Sequence, residues 1–281
     1  SHLSDQGDGC VGRADRADAR KTDLMPNRAR RLPARFWHGF MRRALLMLCV
    51  WHAGYAAADT SYIVEARYAQ PTKAYPHGVL GDDVEWAQLL LVTSGERDRT
   101  IRLSAAPDSV FEDIAPRLWD LTGDGQPEVV AVESHKDLGA RLVVFGLVNG
   151  ASARIAMTPH IGQRFRWLAP IGAADFDDDG HVEIAFVDRP HLARVLRVWR
   201  FVDGAFSEVT TVSGVSNHRI GQDFISGGIR NCGAGYEIIV ANADWSAIVA
   251  ARLQAGGLMT RQLDERATPR GFATALACRE N

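Results

Sequence analysis

DFDDDGHVEIAFVDR, Asp175 to Arg189, decides how this chain folds. Five of its first nine side chains are acidic, a glycine closes the acidic run, and IAFV follows at once. Carboxylates this close repel one another and cost stability unless something positive sits among them. The apolar run reads as a buried strand.

The pattern recurs. DLTGDGQPEVVAVES, Asp120 to Ser134, matches it position for position 55 residues earlier, and upstream of each copy FEDIAP (Phe111 to Pro116) matches FRWLAP (Phe165 to Pro170). GIRNCGAGYEIIVAN, Gly228 to Asn242, is a fainter copy that places Glu237 54 residues after Glu183. GVLGDDVEWAQLLLV, Gly78 to Val92, shares the turn and the apolar run alone. A period near this length belongs to solenoids, propellers or arrays.

Within each period the signals are those of short strands rich in β-branched and aromatic residues and broken by Asp, Gly or Pro. The third repeat gives LAPIGAADF, HVEIAFVD, RVLRVWRF and FSEVTTV. The second gives EVVAVES, ARLVVFGLV and ARIAMTP, and the fourth gives YEIIVAN, AIVAARL and LMTRQL. No stretch shows helical periodicity. The expected fold is therefore all-β, a small β-propeller whose blades each hold four antiparallel strands. From Asp59 onward 223 residues remain, and at roughly 40 to 50 residues per blade that makes four or five. In the five-bladed version SYIVEARYA and RGFATALAC, from the two ends, pair to close the ring; a four-bladed ring is the alternative.

Numbered from its first Asp, each acidic loop places oxygen ligands at positions 1, 3 and 5, Gly at 6, a backbone carbonyl at 7 and a carboxylate at 9, as in the first part of an EF-hand loop. The ligands expected in the third repeat are Asp175, Asp177, Asp179, the carbonyl of His181, and Glu183, with Asp178 pointing outward. In the second they are Asp120, Thr122, Asp124, the carbonyl of Gln126, and Glu128. Position 12 is Phe186 or Ala131 and strands follow, so a helical EF-hand is excluded. Hard oxygen donors in this number suit Ca²⁺ better than Zn²⁺, giving one or two calcium ions, with the Asp120 loop the weaker. The competing reading is a solvated acidic turn, which Asp and Gly also favour.

The D-x-T/D-x-D-G-x-x-E loop plus strand, repeated near 55 residues, resembles the FG-GAP/VCBS repeat proteins, typified by the integrin α-subunit propeller. The resemblance implies a propeller in which the innermost strand of a blade runs into the calcium loop and the second strand leaves it. The chain departs from that pattern in its Glu at position 9 and in lacking Phe-Gly and Gly-Ala-Pro signatures.

In the fourth repeat Ile229, Asn231 and Gly233 stand where ligands should, beside Cys232. Cys278 ends RGFATALAC, which repeat order makes the innermost strand of the next blade, so a Cys232–Cys278 disulfide is expected to do at this corner what calcium does in its neighbours. Two unpaired thiols are the alternative.

Residues 1–40 are Arg-rich and aperiodic and read as an upstream leader. Residues 41–58, MRRALLMLCVWHAGYAAA, read as a secretory signal, with Arg42 and Arg43, a short apolar core and a small-residue cleavage site. Residues 59–281 form the single expected domain. Its 22 Lys/Arg and 29 Asp/Glu give a formal charge of −7, which carries no electrostatic footprint for nucleic acid. A periplasmic or secreted monomer follows, without a membrane span once the signal is cleaved.

On the face opposite the acidic loops, the segments entering the inner strands hold Tyr75 and His77, then Glu112, Asp113 and Arg117, then Arg164, Arg166 and Trp167, then His218 and Arg219, then Arg270. Arginine forks favour carboxylate or phosphate, so His77, Arg117, Arg164, Arg166, Trp167, His218, Arg219 and Arg270 are candidates to bind an anionic or glycan-like ligand. The alternative is mutual pairing, with Glu112 and Asp113 neutralising Arg166 or Arg219. His191, Arg194, Arg197 and Arg200, near Trp199, form a basic stretch that reads as one solvated strand face. No nucleophile motif, zinc motif or phosphate loop is present. The expected function is a non-catalytic, calcium-stabilised exported propeller that binds a protein or glycan of the envelope or cell exterior. A propeller lyase or hydrolase with its site at the Arg/His mouth is the alternative.

Overall fold

Short alternating segments become antiparallel sheet throughout residues 61–95 and 99–279, the part described by a computed structural model of the chain. The leader and signal segments lie outside the described residues, which all fall within the unit Tyr55–Asn281. Strands β1 (Tyr62–Thr72), β2 (Glu85–Ser94) and β3 (Arg99–Ser104) form the first repeat. The second holds β4 (Ser109–Phe111), β5 (Arg117–Trp119), β6 (Glu128–His135), β7 (Gly139–Val148) and β8 (Ala151–Met157), and β4 joins the two repeats into one sheet by pairing with β2 and β6.

The third repeat is a separate four-stranded sheet of β9 (Leu168–Ala174), β10 (Val182–Asp188), β11 (Val195–Val202) and β12 (Ala205–Ser213). The fourth contains β13 (Val215–Ser216), β14 (Gly228–Asn231), β15 (Tyr236–Asn242), β16 (Ile248–Gln254) and β17 (Gly257–Gln262). A helix, α1 (Pro269–Leu276), follows.

Strand alternation sends successive residues to opposite faces, and here both faces of the middle strands are dry. Val129 and Ala131 of β6 pack with Leu89, Leu91 and Phe111, while Val130 and Val132 pack with Leu168, Ile184 and Phe186. Ala185 and Val187, on the other face of β10, meet Ile238 and Val240 of β15. Ile239 and Ala241 then meet Phe272 and Ala275 of α1. The first three clusters thus tie one repeat to the next and the last ties α1 to the fourth, and truncating one of these Leu or Ile residues to Ala costs about 2–5 kcal/mol.

Two expectations about the chain ends are corrected. RGFATALAC is not a strand: Thr268 caps a helix by accepting a hydrogen bond from Gly271 N at 3.1 Å, and Pro269 begins it. Phe272 and Ala275 then share the face that covers the fourth sheet. Nor does SYIVEARYA pair with that segment; β1 pairs with β2 along its length.

The inner strand of the third repeat, β9, is continuous. In the second it is split into β4 and β5 around residues 112–116, and in the fourth into β13 and β14 around residues 217–227. Both halves still pair with one neighbour, so the split-out residues gather at one end of the sheets. They include Glu112, Asp113, Asn217 and His218, all buried.

Candidate functional site

The two acidic loops share one hydrogen-bond plan. The last carboxylate accepts from the second residue of its loop, Glu128 from Leu121 N at 2.8 Å and Glu183 from Phe176 N at 2.9 Å. The first carboxylate accepts two loop N–H groups, Asp120 from Gly123 and Gly125, Asp175 from Asp179 and Gly180. Gly125 and Gly180 sit at φ of 84° and 89°, the left-handed region that lets the chain turn sharply. Asp178, at φ 59°, is exposed as expected.

The loops differ in what neutralises them. Asp175, Asp177 and Glu183 bring three oxygens within 4.8 Å of one another, an arrangement that can hold a metal ion. Among the described residues Asp120, Asp124 and Glu128 do not gather in this way. Into the third loop, however, reaches Arg200 of β11, whose guanidinium lies 2.6 Å from Glu183, 2.7 Å from Asp177 and 2.7 Å from Asp179. A positive charge does sit among the acids, and the chain supplies it. The solvated-face reading of Arg197 and Arg200 is corrected accordingly, since Arg197 pairs with Asp188 and Glu208.

Strand register explains the difference. Arg200 stands directly across from Glu183. In the second repeat Val129 faces Phe145, which sets Gly146 against Glu128; a Cβ there would lie 3.6 Å from Glu128 Cγ. In the fourth repeat Glu237 is held by Arg230 at 2.7 Å, Arg261 at 3.1 Å and Arg252 at 3.4 Å. The carboxyl groups respond in order. Burial and then the neighbouring Asp124 and Asp120 push Glu128 up, and burial still pushes Glu183 up against the pull of Arg200. Burial also acts to raise Glu237, but Arg230 and Arg261 outweigh it and hold that carboxyl below its usual range. Cys232 and Cys278 form the expected disulfide, with Cα atoms 5.7 Å apart; it fastens the end of α1, rather than a neighbouring inner strand, to the fourth loop.

At the opposite end of β9, a cavity of about 260 Å³ is lined by His77, Phe165, Arg166, Trp167, Arg189 and His191 together with Gly78, Val79, Pro190, Leu192 and Ile220. A second, of about 510 Å³, shares Pro190, His191 and Ile220 with it and adds Arg194, His218, Arg219, Ala243, Asp244 and Trp245. The β1–β2 connection closes over this end. Tyr75 Oη accepts from Phe165 N at 2.6 Å, His77 Nδ1 bonds to Glu112, and Val79 O accepts from Gly221 N at 3.1 Å, so one loop touches the second, third and fourth repeats.

Of the expected ligand residues, His77, Arg166 and Trp167 line the first cavity and His218 and Arg219 the second. Arg164 lies over the Phe165 ring at 4.5 Å. Arg117 is spent on buried Asp113 at 2.7 Å, and Arg270 is an exposed residue of α1. Glu112 and Asp113 are therefore bonded to His77 and Arg117, not to Arg166 or Arg219. Glu112 is fully buried; its second oxygen accepts from Ser134 Oγ and its carbonyl from Trp167 Nε1 at 2.8 Å. Burial pushes its carboxyl up, against the influence of His77.

Arg189 is held by Asp188 at 2.7 and 2.9 Å. Arg166 donates to Phe165 O at 2.8 Å and has no carboxylate partner among the described residues. Glu85 carries no signal in the sequence, and the solvated-face reading of His191 is corrected. His191 stacks parallel to Trp167 and bonds to His218, 27 residues away, a contact that only the 217–227 excursion creates. No protein-family model and no curated protein matches this chain.

Proposed function

We propose that the chain is a ligand-binding module of the exported β-propeller type, related to the FG-GAP/VCBS proteins, that takes an anionic, glycan-like ligand in the cavity between His77, Arg166 and His191. One observation carries this reading. The cavity walls hold two arginines and two histidines, and none of the lining residues is an aspartate or glutamate. Of these four, Arg189 is bonded to Asp188 and His77 to Glu112, and the His191 imidazole is held neutral by burial, so the guanidinium of Arg166 is what draws an anion to the cavity. Arg166 keeps most of its five N–H donors for a planar anion.

Binding is favoured over catalysis by the same wall. It contains no hydroxyl, thiol or carboxylate to serve as nucleophile or acid/base pair, and His218 is engaged on both ring nitrogens. Four successive strand repeats, the first two joined in one sheet and each packed on the next, support a propeller-like array of four blades with α1 covering the last one. Calcium at Asp175, Asp177 and Glu183 is the metal part of the proposal, in keeping with an all-oxygen donor set. Arg200 shares two of those carboxylates, which makes the site a weak one.

Thermal unfolding against a panel of simple anions, acidic sugars and neutral sugars tests the reading. Acidic ligands should raise the melting temperature of the wild-type chain and fail to do so in Arg166→Gln. Equal stabilisation by neutral sugars, or no response to any anion, would overturn it.

A further inference from the structure

The hydrogen bonds around the cavity fix which nitrogen of each histidine carries a proton. Gln222 O, which can only accept, lies 2.9 Å from His218 Nε2, so that nitrogen holds the proton. His218 Nδ1 is then an acceptor, and it lies 2.9 Å from His191 Nε2, which must donate. His191 Nδ1 is left as a bare lone pair on a residue that lines both cavities. Burial, and then His218 and His77, push the His191 imidazole down to about 4. The ring is thus neutral, and its Nδ1 an acceptor, at ordinary pH.

Position is enforced from behind. The Trp167 ring, 2% exposed, lies parallel to His191 at 6.4 Å and edge-on to His218 at 4.9 Å, with its indole N–H committed to Glu112 O. The same cavity therefore offers two opposite demands. Arg166 asks for a negative oxygen, and His191 Nδ1 asks for a donor. A simple anion such as acetate or sulfate satisfies the first and leaves the second unmet, whereas a guest that carries both a carboxylate and a hydroxyl answers both.

We propose that the cavity selects a small hydroxy acid of monosaccharide size, with a hexuronate as the type, whose carboxylate meets Arg166 while a hydroxyl donates to His191 Nδ1. This rests on the reading of the cavity as an anion site. About 260 Å³ suits one sugar unit, and the adjoining depression gives a second unit room to continue, so the acid can be free or at the end of a chain.

Titration calorimetry of the full chain with galacturonate, trigalacturonate, galactose and acetate decides among these. Galacturonate should bind at least tenfold more tightly than both galactose and acetate. His191→Phe, which keeps a flat ring against Trp167, should abolish the advantage over acetate while leaving residual anion binding. Tighter binding of trigalacturonate than of galacturonate would identify a chain end as the source, and equal binding a free acid. If acetate matches galacturonate, the hydroxyl role is wrong although the anion site survives. If none of the four binds, the anion site itself is wrong. A His191→Phe protein that keeps full galacturonate selectivity, with unchanged melting, also overturns the proposal.

Discussion

Arg200 and Glu183 face each other across β10 and β11, with Nε 2.6 Å from Oε1, so the strand register itself delivers a guanidinium into the acidic loop. A calcium ion entering this loop must displace that guanidinium from Asp177 and Glu183. Replacing Arg200 by glycine reproduces the situation of the second repeat, where Gly146 stands across from Glu128. Arg200→Gly should melt lower than wild type without metal and gain several degrees with millimolar calcium, whereas wild type should respond weakly. Equal calcium responses of the two proteins would show that Arg200 does not compete for the loop.

The disulfide between Cys232 and Cys278 closes 46 residues, worth about 4 kcal/mol on the chain-entropy model. Its loss should first loosen α1, which covers Ile239, Ala241 and Ile248. Cys232→Ser/Cys278→Ser should lower the urea midpoint and speed amide exchange at Phe272 and Ala275 more than at Val130 or Ile184. Uniform acceleration of exchange would contradict this local role.

Glu85 is 2% exposed, and burial, followed by Glu112, Asp82 and Asp113, pushes its carboxyl up to about 9. The folded state therefore holds this proton more tightly than the unfolded chain does. Its contribution to stability is complete below about pH 4.5 and is lost as pH rises toward 9. Glu85→Gln should flatten the fall in melting temperature between neutral and alkaline pH. At pH 8 the gain should reach at least about 1 kcal/mol, or about 2–4 °C in a domain of this size. Parallel curves for the two proteins would remove Glu85 as the cause.

Arg230, 4% exposed, holds Glu237 at 2.7 Å and donates to Ala275 O at 2.7 Å near the end of α1. Removing one member of a buried pair costs about 3–5 kcal/mol. Arg252 and Arg261 still reach Glu237, so Arg230→Met should fall at the lower end, with part of the loss recovered in Arg230→Met/Glu237→Gln. A urea series on wild type, Arg230→Met and the double variant checks it, and a double variant no better than the single one would count against the pairing.

The strands and acidic loops were legible because period-2 alternation, the Asp–Gly turn and the 55-residue spacing are all local properties of the chain. The role of Arg200 was not, since it depends on which residue of β11 lands across from Glu183. The helix was hidden for another reason. Repeat order filled that slot with a strand, although Thr268-Pro269 is a start signal and Phe272, Ala275 and Leu276 share one face. From the sequence His191 reads as part of a basic solvated face. Only the excursion of residues 217–227 brings His218 to it, and no spacing rule encodes a contact between two loops.

Proton–nitrogen correlation NMR of the arginine and histidine side chains during titration with galacturonate tests the anion cavity most directly. The predicted result is a saturable shift of the Arg166 guanidinium and His191 imidazole signals while those of Arg200 and Arg230 stay in place. Signals of Arg166 and His191 that remain unmoved at saturating sugar acid, or that move no more than those of Arg200, would contradict it.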